Sequence, residues 1–229
     1  DVKKYGTLPF AGIARAGFIA IQFLKSFVSE GIITNKEFNL FLKSLNTVSK
    51  TLIKDKEILS KQDFLGKYGH LRPGSYDILS KNYEQDYDNY FSDKIETHID
   101  ETFNFTEYQI SNINAKLLTY ELGVDFDQLI IFIKEAIEGR ESVKFEFTKS
   151  LNQILIYITE FGQQLQYGDF SIEDLAHLDV QEIISLYSTL DHRHASDILK
   201  SDIKKNREFY RYTKAIKLPS IISSPEDIY

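Results

Sequence analysis

Apolar residues in this chain recur at the spacing of a helix and almost nowhere at that of a strand. The clearest run is Phe147, Leu151, Ile154, Leu155, Ile158, Phe161 and Leu165. These residues share one face for about five turns, which predicts a central core helix. Helix starts are also readable. Thr34 with Glu37, Thr106 with Gln109, Asp125 with Gln128, Ser171 with Asp174, and Asp179 with Glu182 each pair a capping side chain with a polar partner three residues on. Ser60 to Asp63 is a further cap signal. Gly31, Gly123, Gly139 and Gly168 stand where the patterns end, as C-terminal stops do. The expected fold is all-α: a bundle-like domain of antiparallel helices over residues 1–229, with any subdivision near residues 80–105.

The N-terminal helix is expected from Phe10 to Glu30, with Pro9 in its first turn. Gly12, Ala16 and Ala20 lie four apart and predict a stripe of close helix approach. A second helix is expected to carry Phe38, Phe41, Leu42, Leu45, Val48, Ser49 and Leu52 on one face. Its short link to the first predicts an antiparallel hairpin. A last helix from about Ala195 to Ile216 is rich in cations, among them Lys200, Lys204, Lys205, Arg207, Arg211 and Lys214. Leu218-Pro219 should stop it, leaving 220–229 as an extended exit.

Composition excludes several classes. The chain has no cysteine, so it has no disulfide, thiolate nucleophile or thiolate metal site. That suits a reducing compartment, and a cytoplasmic location is expected. A net charge of -7 argues against general nucleic-acid binding. Arg15, Gln22 and Lys25 interrupt the most apolar run, Leu8 to Val28, so a core helix is expected there rather than a membrane span. The chain begins at Asp1, has no methionine, and reads as a piece of a longer protein. No phosphate-binding loop, dinucleotide fingerprint, nucleophile elbow or zinc-protease motif is present.

One stretch is rigid and polar. Lys67-Tyr68-Gly69-His70-Leu71-Arg72-Pro73-Gly74-Ser75-Tyr76-Asp77-Ile78 gathers two glycines, a proline, a histidine, an arginine and two tyrosines. Pro73 holds Arg72 out of the helical region, and Gly69 and Gly74 can take positive φ. Two readings stand. The turn is a ligand clamp, with the Arg72 fork on a phosphate or carboxylate, His70 donating or accepting, and Tyr68 and Tyr76 stacking on a ring. Or it is an internal latch, with Arg72 bridging buried carbonyls and Asp77 capping a helix; Asp77 can also accept from nearby backbone amides, as Asx turns do.

Residues 82–110 are acidic and aromatic, and are expected to mix loop with a helix after Ser92, as a cover over the domain. Asp191-His192-Arg193-His194 invites a metal reading, but two histidines two apart on a helix diverge and no third ligand is spaced to join them.

The central stretch resembles a motif of multidomain proteins related to phosphoenolpyruvate synthase and pyruvate phosphate dikinase. Lys4-Tyr5-Gly6-Thr7-Leu8-Pro9-Phe10-Ala11 is similar to the entry of the same region, and Leu218-Pro219 through Ser224-Pro225-Glu226-Asp227-Ile228 to its exit. In this family an ATP-grasp domain phosphorylates a mobile histidine domain, which delivers the phosphoryl group to an acceptor site. Rifampin phosphotransferases share the plan and place a helical domain between the other parts. The resemblance implies that this chain is such a helical middle domain, with His70, Arg72, Tyr76 and Asp77 as substrate-binding residues and no catalytic residue of its own. It implies partners in the same chain, the ATP-grasp and phosphohistidine domains, and a small-molecule acceptor. No cofactor or metal is expected in this segment; the parent would use ATP, Mg and phosphoenolpyruvate or pyruvate. The Thr-x-Gly-Gly-x-x-Ser-His element of the phosphohistidine domain is absent, so His70 takes no phosphoryl role. The alternative is a passive helical spacer or a protein-interaction module.

Overall fold

The computed structural model describes residues 2–92, 102–165, 167–188, 191–216 and 224. Every regular element among them is helical, and the fold is all-α. A π-helical turn, Lys3–Thr7, leads into α1, Leu8–Ser29. Then follow α2, Asn35–Ser44; α3, Val48–Ile58; α4, Lys61–Tyr68; the single turn α5, Tyr87–Tyr90; and α6, Glu107–Thr119. The longest helix, α7, runs from Phe126 to Gln164, and α8, Ile172–Leu175, α9, Val180–Ser185, and α10, His192–Ala215, complete the order. Most of the expected caps form, while Asp179 caps α9 through the Gln181 amide instead of pairing with Glu182. Thr34, Thr106 and Ser171 each make a reciprocal capping box, and Asp125 and Gln128 exchange the same pair of bonds at the start of α7.

The chain divides into two compact units, Asp1–Ser75 with Lys81–Asn152, and Tyr76–Ser80 with Gln153–Tyr229. The first unit is built on a core of Ala20, Leu24 and Phe27 from α1, Phe41 from α2, Ile113 and Leu117 from α6, and Ile130, Ile133 and Ala136 from α7. Phe103 and Phe105 wedge into it edge-to-face, 4.9 Å apart, with Phe105 also 5.2 Å from Phe126. In the second unit, Leu165, Leu186, Ala195 and Leu199 form a smaller core. There Leu175 fills the space a side chain at Gly162 would need.

Four local expectations are corrected. Gly139 does not end a helix, because it lies inside α7, which is 39 residues long. One glycine costs an interior helix only about 1 kcal/mol, which the flanking apolar turns outweigh. The helix expected across Phe38 to Leu52 is instead two, because Thr47 turns extended and caps α3. Of the expected close-approach stripe, Ala16 and Ala20 do pack against the core, and only Gly12 falls outside it. Gly12 faces open space, whereas a Cβ on Gly17 would lie 3.4 Å from the Ala136 carbonyl oxygen and 3.1 Å from Arg140. Gly69 is helical at φ -56, not left-handed. It is required for space, because a Cβ there would meet the Leu65 carbonyl oxygen at 2.5 Å.

The acidic, aromatic segment is packed where it is described. Tyr87 and Phe91 pack against Phe64 of α4, and Tyr83 packs on Phe91. The helix expected after Ser92 lies outside the described residues, as do the stop at Leu218-Pro219 and nearly all of the exit. Lys3–Ser29 has the length and composition of a membrane-crossing helix, and only a minority of its most apolar window is buried.

Candidate functional site

The central turn begins where α4 ends. Gly69 donates to the Leu65 carbonyl and Leu71 to that of Tyr68, which closes the helix. The chain then leaves and returns, and Tyr83 and Glu84 donate to the carbonyls of Leu71 and Gly69 at 2.8 and 3.2 Å. The turn is thus a loop tied at its neck.

Arg72 points inward and is 9% exposed. Its guanidinium donates to the side-chain oxygen of Asn152 on α7. Asn82, 1% exposed, donates to the same oxygen at 3.1 Å. Gln85 and Asn82 hold each other across the turn that follows, N–H to side-chain oxygen in both directions. The result is a buried polar network joining the two sides of the loop neck to the long helix, and such networks specify one arrangement of the elements they join.

His70 lies half-buried against Phe145, ring to ring at 4.8 Å, with its Nε2 3.2 Å from the Phe145 carbonyl oxygen. Burial holds its pKa below the ordinary 6.5, and Lys149 pushes the same way, against the opposing pull of the carbonyl bond. The folded state therefore binds its proton less readily than the unfolded chain. Stability linked to His70 is present above about pH 6.5 and is lost as the pH falls through its lower folded value. Urea unfolding at pH 7.5 and pH 5 is expected to show a drop in midpoint that becomes smaller in His70→Gln. An unchanged drop would remove His70 as its source.

Tyr76 and Asp77 belong to the second unit. Tyr76 is 66% exposed. Asp77 makes the expected Asx turn, its carboxylate accepting from the Leu79 amide at 2.9 Å. The four residues expected to bind substrate are thus placed as two pairs in different units. Of three surface cavities of 400–430 Å³, none is lined by any of them.

The motif does reach one cavity, through its first two residues. Lys67 and Tyr68 line a space of about 430 Å³ together with Asn46, Thr51, Glu135, Glu138, Ser142 and Phe145. Both are held by Asp55, which accepts from the Lys67 ammonium at 2.6 Å and from the Tyr68 hydroxyl at 2.8 Å. The bond to Lys67 lowers the Asp55 pKa, and the bond to Asp55 raises that of Lys67. Burial raises the pKa of Tyr68. Sequence reading missed this trio because Asp55 sits in α3 with nothing in its spacing to tie it to the turn.

Beside the turn, Phe64, Tyr87 and Phe91 surround the Lys56 ammonium at 5.0 to 5.9 Å from each ring centre. This is a cation–π cage filled from within. It fastens α3 to α4 and to the residues after the loop.

The fold and the turn together define an all-helical protein with a polar loop closed on its own interior. Compared with family models, with curated proteins and with solved structures, the chain has no match.

Proposed function

We propose that this chain is a helical connecting domain without chemistry of its own, working within a longer phosphotransferase of the phosphoenolpyruvate-utilising type. The parent class rests on the resemblance of residues 67–78 and of the two flanks. The connecting role rests on one observation: the Arg72 guanidinium is buried inside the first unit and donates to Asn152 there. A clamp needs its fork open to a ligand, whereas a latch needs it buried and bonded. Arg72 meets the second condition.

The test is hydrogen exchange on the chain with and without phosphoenolpyruvate or pyruvate. Amides of residues 67–84 are expected to be unchanged by either compound. New protection there that disappears in Arg72→Lys would restore the clamp and overturn this reading.

A docking role toward the other domains of the same chain is favoured by α1, which leaves Leu8, Phe18 and Ile19 exposed. Large exposed apolar side chains on a long helix mark a surface that another body covers.

A further inference from the structure

α10 carries Lys200, Lys204, Arg207 and Arg211 along one stripe, spaced four, three and four residues apart. They line a groove of about 410 Å³ in the second unit, faced by Gly168, Asp169 and Phe170, with the buried Ile203 also in its wall. Like charges at these helical spacings repel each other and weaken the helix. The concentration runs against the rest of the chain. α10 holds seven cations against three carboxylates, in a protein of net charge -7.

Three carboxylates border the groove. Asp174 is fully occupied: it accepts from the Ser171 amide at 3.0 Å, the Ser171 hydroxyl at 2.9 Å and the Arg207 guanidinium at 2.6 Å. Glu208 lies between Lys204 and Arg211 on the helix, and Asp169 stands on the opposite wall. Lys200 donates to the Tyr167 carbonyl at 2.6 Å. Lys204 and Arg211 make no ion pair among the described residues. The two are seven residues apart, about 10 Å along the axis.

The facing wall and the residue leading into it are strained. Tyr167 at φ 67 and Asp169 at φ 46 are both left-handed, and neither is glycine. Between them, a Cβ on Gly168 would collide with the Phe170 ring at 2.5 Å. Strain of this kind persists only where the surroundings enforce it, and it clusters at ligand sites. Here the surroundings include Lys200 on the Tyr167 carbonyl and Arg193 over the Tyr167 ring at 5.1 Å.

We propose that this groove binds a small molecule carrying two or more phosphate groups. Lys204 and Arg211 grip its ends, and Lys200 and Arg207 lend their remaining N–H donors between them. The volume is that of a small-ligand site, and the cation spacing suits a short phosphate chain. The proposal stands apart from the connecting role, because its residues and its readout lie in α10, away from residues 67–84.

The experiment is calorimetric titration of the chain with tripolyphosphate at about 50 mM salt, where surface charges are weakly screened. One saturable site is expected. Lys204→Glu with Arg211→Glu should weaken it at least about tenfold, and Lys204→Gln with Arg211→Gln should weaken it in the same direction. Lys36→Glu with Lys144→Glu, an equal charge change elsewhere on the surface, should leave it in place. Circular dichroism on each variant checks that helix content is kept. Absence of saturable binding would overturn the proposal. So would equal binding by the Lys204/Arg211 variants, or tighter binding of poly-glutamate, which would assign the groove to an acidic polypeptide.

Discussion

Phe64→Ala should lower the stability of the first unit by about 4 kcal/mol, read as a fall in the urea midpoint at unchanged slope. Phe64 has no solvent exposure. Its ring centre lies 4.9 Å from that of Tyr68, 5.2 Å from Phe91 and 6.0 Å from Tyr87. Alanine would remove the shared floor of this cluster and leave a cavity that the surrounding rings, fixed on α4 and the segment after the loop, cannot fill. The Lys56 ammonium would also lose one of its three rings. Lys56→Met keeps the apolar stem and removes only the charge, so its cost should be nearer 1 kcal/mol. The comparison separates apolar burial from cation–π attraction. If the two variants cost the same, the cluster is held by the ammonium and not by ring packing.

Arg72→Ala should cost about 2–3 kcal/mol in the same measurement, from the lost bond to Asn152 and the lost packing of the buried stem. Arg72→Lys should recover only part of this, because an ammonium cannot reproduce the planar fork. Asn152→Ala removes the shared acceptor from both Arg72 and Asn82. The double variant with Arg72→Ala should therefore cost clearly less than the two single losses added together. A change of under about 0.5 kcal/mol for Arg72→Ala would mark a surface residue and end the latch reading.

The stabilities of these variants bear directly on how the turn is understood. A clamp residue is expected to cost little when removed from the unliganded protein, since binding sites keep strained or unsatisfied groups for the ligand. A latch residue costs its full share at once. Arg72 and His70 are therefore distinguishable from true ligand contacts by unfolding alone, before any ligand is known.

Some elements were legible because their causes are local. Thr34, Thr106, Asp125 and Ser171 cap helices through bonds that span three residues, and each formed as its sequence pattern indicates. The Asx turn at Asp77 spans two. Gly31 took the left-handed conformation expected of a helix stop, at φ 70. Where a residue's role depended on a distant neighbour, the local signal misled. Gly139 looked like a stop and is a helix interior position beside Ile13 of α1. Gly12 looked like an approach site and faces nothing, because the buried face of α1 runs through Gly17, Ala20, Leu24 and Phe27.

The candidate site divides in the same way. That a polar turn follows α4 was legible from Gly69, Pro73 and the cap at Ser60. Which of its side chains face inward did not follow. Arg72 meets Asn152 across 80 residues of chain, and Asp55 reaches Lys67 and Tyr68 from the preceding helix. The amino-acid sequence determined an all-helical chain, most helix starts and the place of the turn, because hydrophobic periodicity and capping act within a few residues. Only the tertiary structure decided that the guanidinium is buried, that Lys67 and Tyr68 line a cavity, and that four cations of α10 share one groove. Those outcomes depend on which helix faces lie together, and no spacing along the chain encodes that by itself.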